Sequence, residues 1–246
     1  MNSYRDPSPA GWDFATLLAR VAETPGIRRV RYTTSHPRDF VKEIVDAMDS
    51  NPVLCDHVHL PVQSGSSRVL ASMDRLYTRD QYMRRIDWLK TARRPYAITT
   101  DIIVGFPGET EADFEQTLGL LDEVEYDSLF SFKYSPRPNT AALDMADRIP
   151  EDEKQRRLAI LQEKQRAIQI RRNAALIGNV REVLVEGRHA ALGQWIGRTS
   201  DNRTLNFTVG QDKPEAGSAD LVGRYLDVRV TRCGPNSLVG ESVTVV

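Results

Sequence analysis

Apolar positions fall at helical spacing in one half of the chain and alternate in the other. Phe14, Leu17, Leu18 and Val21 predict an amphipathic helix over 13–24, which Pro25-Gly26 ends. The β-branched run from Arg29 to Ser35 predicts a strand, and His36-Pro37 turns the chain. Phe40, Ile44, Val45 and Met48 mark a second helix, His57 to Val62 a second strand, and Gln63 to Ser67 a polar loop. Two helical pieces follow, the second opening at Thr78, where Gln81 stands at capping-box spacing. An apolar run begins at Ala97 and breaks at Gly105, with no polar alternation, as expected of a strand covered on both faces. Thr110 and Asp113 repeat the capping-box spacing ahead of Phe114, Leu118 and Leu121. Leu129 to Tyr134 is a further strand, ending in Ser135-Pro136-Arg137-Pro138-Asn139-Thr140.

Four strand-loop-helix units predict an α/β fold with a parallel sheet and right-handed crossovers. Each polar loop follows its strand, so the loops gather on one rim, where such folds bind ligands. The pattern changes at Pro150. Residues 151–177 predict one long helix with acids in its first turn and seven Lys or Arg against four acids, read as a joint with a solvated basic face. From Gly178 the runs are short and alternating: Glu182–Val185, Gln194–Arg198, Thr204–Val209, Tyr225–Thr231 and Leu238–Val246. They predict a small all-β barrel, with 211–219 as its most loop-like stretch. The expected domains are therefore 1–150, a linking helix 151–177, and 178–246.

Composition adds little to this. A net charge of −1 over 246 residues is uninformative, and the tail balances eight basic against eight acidic residues, so nucleic-acid binding is not visible in its charge. No stretch reaches the roughly 20 apolar residues of a membrane span, and the first residues lack the apolar core of a signal peptide. The expected location is the cytoplasm. Cys55 and Cys233 lie far apart without CxxC spacing, so reduced, buried thiols are expected rather than a zinc site.

Four stretches could carry chemistry. His57-Val58-His59 puts two imidazoles on one strand face, which could begin a metal-hydrolase site, but few further ligands remain. Thr33-Thr34-Ser35-His36-Pro37 and Gln63-Ser64-Gly65-Ser66 offer hydrogen-bonding groups at strand ends, or simply cap turns. Asp101 to Thr110 is a glycine-rich strand exit with Glu109 at its mouth, either a ligand loop or a tight connection. No nucleophile triad, Walker motif or dinucleotide fingerprint is present. The residues alone indicate a small-molecule site on a parallel, barrel-like sheet, with a β-barrel appendage.

Taken together, Tyr32 to Pro37, His59 to Ser66, Asp101 to Thr110 and Ser135 to Pro138 resemble strings of the radical S-adenosylmethionine methylthiotransferases. Asn2-Ser3-Tyr4 resembles the end of another such string, and Thr33 to Pro37 points to the MiaB type, which modifies tRNA. The resemblance implies an incomplete TIM-type partial barrel followed by a TRAM β-barrel that grips RNA. It implies methylthiolation at C2 of N6-isopentenyladenosine beside the anticodon, with S-adenosylmethionine supplying both a radical and a methyl group, one 4Fe-4S cluster binding it at an open iron and a second cluster supplying the sulfur. Carried over by position, Gln63, Ser64, Gly105 and Glu109 would surround S-adenosylmethionine. Ser35, His36, Asp101 and Arg137 would line the cavity with the adenosine. Arg198, Asn202, Arg203 and Asn206 would contact RNA, with the tRNA anticodon stem-loop as partner.

Two departures qualify the resemblance. Arg137-Pro138-Asn139-Thr140 stands where the family has Arg-Pro-Gly-Thr, and the family's cluster cysteines, including CxxxCxxC, have no counterpart here. Each cluster needs about three thiolates. The chain is therefore expected to be the rear half of such an enzyme, inactive alone, with a separate N-terminal half as a candidate partner. A non-catalytic RNA-binding remnant and a metal-dependent hydrolase using His57 and His59 are the alternatives.

Overall fold

The apolar run at 97–104 forms β2, Ala97–Val104, and the first sheet is aligned on it. The computed structural model describes residues 2–9, 11–136, 138, 140–189, 192–209 and 221–243. β1, His57–His59, and β3, Ser128–Lys133, pair in parallel with β2 on either side, in the order β1-β2-β3. Register sets His59 beside Thr99, Asp101 beside Phe130 and Ile103 beside Phe132. Because side chains alternate, those residues share one face. The opposite face presents Val58, Ile98, Ile102 and Val104 to a core shared with Ile44, Ile86 and Leu121.

Helices cover that core face. α1, Phe14–Ala22, starts where the Thr16 N–H donates to the Asp13 carboxylate. α2 is Lys42–Ser50, and α3, Ser67–Ser72, is capped by the Ser66 hydroxyl. α4, Arg79–Lys90, and α5, Glu111–Val124, open on the expected capping boxes, Thr78 with Gln81 and Thr110 with Asp113. α6 is Glu151–Ala174, and its Leu161 and Ile168 enter the same core.

The segment 29–35 is not a strand. Val30 makes an isolated bridge to Leu54, and the Ser35 N–H reaches the His59 carbonyl at 3.2 Å. β-branched content favours an extended chain, but a ladder also needs consecutive partners, and here they come only at the two ends. Tyr32 between them turns into the core, edge-on to Phe14 with ring centroids 5.2 Å apart. The first sheet thus has three strands where four were predicted.

The alternating tail closes into a barrel of β4 (Val180–His189), β5 (Gln194–Thr199), β6 (Thr204–Thr208), β7 (Tyr225–Cys233) and β8 (Leu238–Ser242). The order is β4-β5-β6-β8-β7, with β7 pairing back to β4 and only the β6–β8 pair parallel. Val183, Val185, Leu205, Phe207, Val228, Val230 and Leu238 fill it. The predicted loop at 211–219 lies outside the described residues. The chain divides into two compact units, Met1–Ile168 and Gln169–Val246. Among the described residues, no helix is long and apolar enough to cross a membrane.

Candidate functional site

A cavity of about 780 Å³ opens at the C-terminal ends of the parallel strands, lined in part by Gln63, Asp101, Ile103, Phe106, Phe132 and Tyr134. Its mixture of aromatic rings, an amide and a carboxylate suits a nucleoside-like ligand. Gln63 reaches it by extending the sheet past β1: its N–H donates to the Asp101 carbonyl at 2.9 Å, and its own carbonyl accepts from Ile103 at 2.9 Å. Its backbone is left-handed, at φ 72°.

Other residues expected around the ligand are engaged elsewhere. Ser64 is fully buried, with its hydroxyl 3.5 Å from Thr117 Oγ1 on α5. Gly105 sits at φ 73° with Lys154 of α6 packed where a Cβ would go, so two requirements for glycine coincide. Glu109 is 2% exposed and folds back into its own loop. Its Oε2 accepts from the Gly105 N–H at 2.7 Å and from Arg157 Nη1 at 2.8 Å, and Arg157 also donates to the Glu109 carbonyl at 3.0 Å. Burial raises the Glu109 carboxyl above the usual carboxylate range, against the opposing pull of the Gly105 N–H and of Arg157.

Of the residues expected on the adenosine side, Asp101 lines the cavity. Ser35 is buried, and its N–H is bound to the His59 carbonyl. His36 lies edge-on to Tyr77, with ring centroids 5.6 Å apart, and its backbone is held from both sides by the Asn2 amide. Burial and then the nearby Arg75 cation hold its imidazole below the ordinary value. Arg137 lies outside the described residues.

The four expected RNA-contact residues gather around the β5–β6 turn. Arg198 Nε lies 3.3 Å from Glu186 Oε1, and its Nη1 donates to Asn202 Oδ1 at 3.3 Å. Arg203 pairs with Asp201 and donates from Nε to Asn173 Oδ1 at 2.9 Å. Asn202 takes φ 66°, a turn role, and Asn206 stands on β6 opposite Ile196.

Sequence reasoning missed the contribution of α6. Arg157 and Lys154 come from a stretch read as a solvated basic face, yet Arg157 is 5% exposed and Lys154 Nζ donates to the Tyr134 carbonyl at 3.3 Å. It also passed over the rings lining the cavity, Phe106 and Tyr134, which meet edge-on at 5.1 Å. Their strand-end positions were the available signal.

Fit to iron is poor. Among the described residues no group of three or more His, Cys, Asp or Glu side chains could hold a metal ion. Cys55 and Cys233 lie in different compact units. The residues present therefore do not fit a 4Fe-4S cluster.

Comparison with known proteins matches residues 6–121 to the radical SAM superfamily and 174–243 to the TRAM domain. The tRNA-2-methylthio-N(6)-dimethylallyladenosine synthase of Solibacter usitatus is 76% identical over 246 residues, covering 100% of this chain and 54% of that protein. The protein of the same name from Koribacter versatilis is 60% identical, over 99% of this chain and 54% of its own length. Among solved structures, the radical SAM enzyme coproporphyrinogen III oxidase (HemN) of Escherichia coli gives a TM-score of 0.49 at 13% identity, over 97% of this chain and 58% of that one, a likeness too slight to bear on function. The chain spans about half the length of the curated relatives it matches. The chain thus joins a radical SAM superfamily segment, residues 6–121, to a TRAM domain, residues 174–243.

Proposed function

We propose that this chain forms the ligand-holding and RNA-gripping part of a cytoplasmic tRNA methylthiotransferase acting at C2 of N6-isopentenyladenosine beside the anticodon. The observation that carries the reading is 76% identity, along the whole chain, to a protein named for that reaction. The cavity supports it, since Gln63 and Asp101 present polar groups among Phe106, Phe132 and Tyr134. S-adenosylmethionine bound there would supply the methyl group. Gln63 would then hold the ligand directly, while Gly105 and Glu109 shape the loop beneath it and Ser64 fixes its neighbour against α5. Asp101, His36, Ser35 and Arg137 are assigned to the adenosine side. Residues 178–246 are the RNA-binding domain, with Arg198, Asn202, Arg203 and Asn206 facing the anticodon stem-loop, and 151–177 the helix that joins it to 1–150.

A graft tests this reading. Residues 1–246 replace the matching stretch of the Solibacter usitatus relative in a bacterium lacking its own enzyme. The 2-methylthio nucleoside is expected to return in tRNA hydrolysates. A stable graft that leaves the tRNA unmodified would sink the proposal.

By itself the chain is expected to hold no cluster. After anaerobic incubation with iron and sulfide, no stoichiometric cluster is expected, because two thiols cannot supply the set of thiolates a cluster takes. A stoichiometric 4Fe-4S absorbance band defeats this.

A further inference from the structure

The His57-Val58-His59 strand has no part in the reading above, and the structure places both rings around one hydroxyl. His57 Nε2 and His59 Nδ1 each lie 3.0 Å from Thr99 Oγ1, and His59 Nε2 lies 3.5 Å from Asp101 Oδ1. Both imidazoles are buried, while Asp101 lines the cavity.

Proton accounting gives this chain of contacts a direction. An ionised Asp101 requires a hydrogen on the facing His59 Nε2. A neutral imidazole carries one N–H, so His59 Nδ1 must accept from the Thr99 hydroxyl. That uses the only proton Thr99 has, so its oxygen can only accept from His57, whose Nε2 therefore bears hydrogen. Hydrogen bonds run from His57 to Thr99 and from Thr99 to His59, whose Nε2–H then faces Asp101 Oδ1 at 3.5 Å, an electrostatic contact longer than an ordinary hydrogen bond.

We infer that His57, Thr99 and His59 are positioning residues that present the Asp101 carboxylate to the cavity as a fixed hydrogen-bond acceptor, and that this acceptor reads the exocyclic N6–H of the bound adenosine. The inference rests on the substrate class proposed above. Oδ1 of the carboxylate faces His59, which leaves Oδ2 for the ligand. An N6-monosubstituted adenine has one N6–H to offer, and an N6,N6-disubstituted one has none. Beside Asp101 on the same sheet face, Phe130 and Phe132 are 62% and 51% exposed, which provides flat apolar surface for a base. Phe130 also stands edge-on to His59, with centroids 6.4 Å apart.

The test uses the full chain and two anticodon stem-loop oligonucleotides, one with N6-isopentenyladenosine and one with its N6-methyl-N6-isopentenyl analogue. The N–H-bearing RNA is expected to bind about 10-fold tighter or better, the range of a hydrogen bond to a charged group. Thr99→Val should abolish that preference with little change in binding of the analogue, and Thr99→Ser should restore it. Equal binding of both RNAs by the parent chain overturns the inference and leaves RNA recognition standing, as does a preference that survives Thr99→Val. Failure to bind either RNA removes the reading beneath it. Nitrogen-15 NMR of the histidines checks the relay without RNA: His59 is expected as the Nε2–H tautomer, and the Nδ1–H form overturns the assignment.

Discussion

Arg157→Ala is expected to lower the stability of the first unit by about 3–5 kcal/mol, because it strands the buried Glu109 carboxylate without its cation. For a unit of this size that corresponds to a fall in Tm of roughly 6–20 °C. Arg157 also bonds Glu153 Oε1 at 2.6 Å and the Glu109 carbonyl at 3.0 Å, so a lysine, which lacks the fork, should recover only part of the loss. The pH dependence has a definite sign. Burial already raises Glu109 above the usual carboxylate range, and removing Arg157 takes away one of the groups that oppose the rise. A carboxyl whose folded pKa exceeds its unfolded value favours the fold at low pH, and that contribution is lost as pH rises through the folded pKa. The gap between parent and variant should therefore be widest near neutrality and narrow as pH falls toward the ordinary carboxylate range. Thermal melts across pH measure both effects, and a variant that melts like the parent at neutral pH removes Arg157 from this role.

Gly65→Ala is the second large effect. A Cβ there would stand 2.5 Å from Thr117 Cα and 2.6 Å from the Gln116 carbonyl oxygen, both backbone atoms of α5. Neither can rotate away, so the loop must lift off the helix. That breaks the 3.0 Å bond from the Gly65 N–H to Thr117 Oγ1 and moves Gln63 at the cavity wall. The cost should be about 1–3 kcal/mol, typical of overpacking a tight contact. In the grafted enzyme it should also lower tRNA modification at permissive temperature. Thr117→Ser leaves the α5 backbone in place and should not rescue it. An unchanged urea midpoint would show that the contact yields cheaply.

What could be read from the sequence was mostly local. Thr78 with Gln81 and Thr110 with Asp113 located two helix starts, because a capping box is complete within four residues. The apolar run at 97–104 located β2 with both ends right, but it also predicted cover on both faces, whereas Asp101 and Ile103 on one face line the cavity. The 29–35 segment failed because extended conformation is a local property and pairing is not. Glu109 shows the same limit at the site. Its place at a strand exit suggested a charge at the mouth, but its partner stands 48 residues later on α6, in a basic stretch indistinguishable by composition from a solvated one. The histidine pair likewise needed Thr99, 42 and 40 positions away, before its geometry had meaning.

The two sheets also differ in how they end. The barrel ring β4-β5-β6-β8-β7 returns to its own first strand, so its backbone groups are spent internally. The parallel sheet stops at β3, whose outer side carries no further strand among the described residues and whose Phe130 and Phe132 are exposed. An unpaired strand edge beside bare aromatic rings is a template for another extended chain. Crowding this protein in solution would thus bring copies together through the parallel sheet, while the closed barrel stays inert toward its own kind.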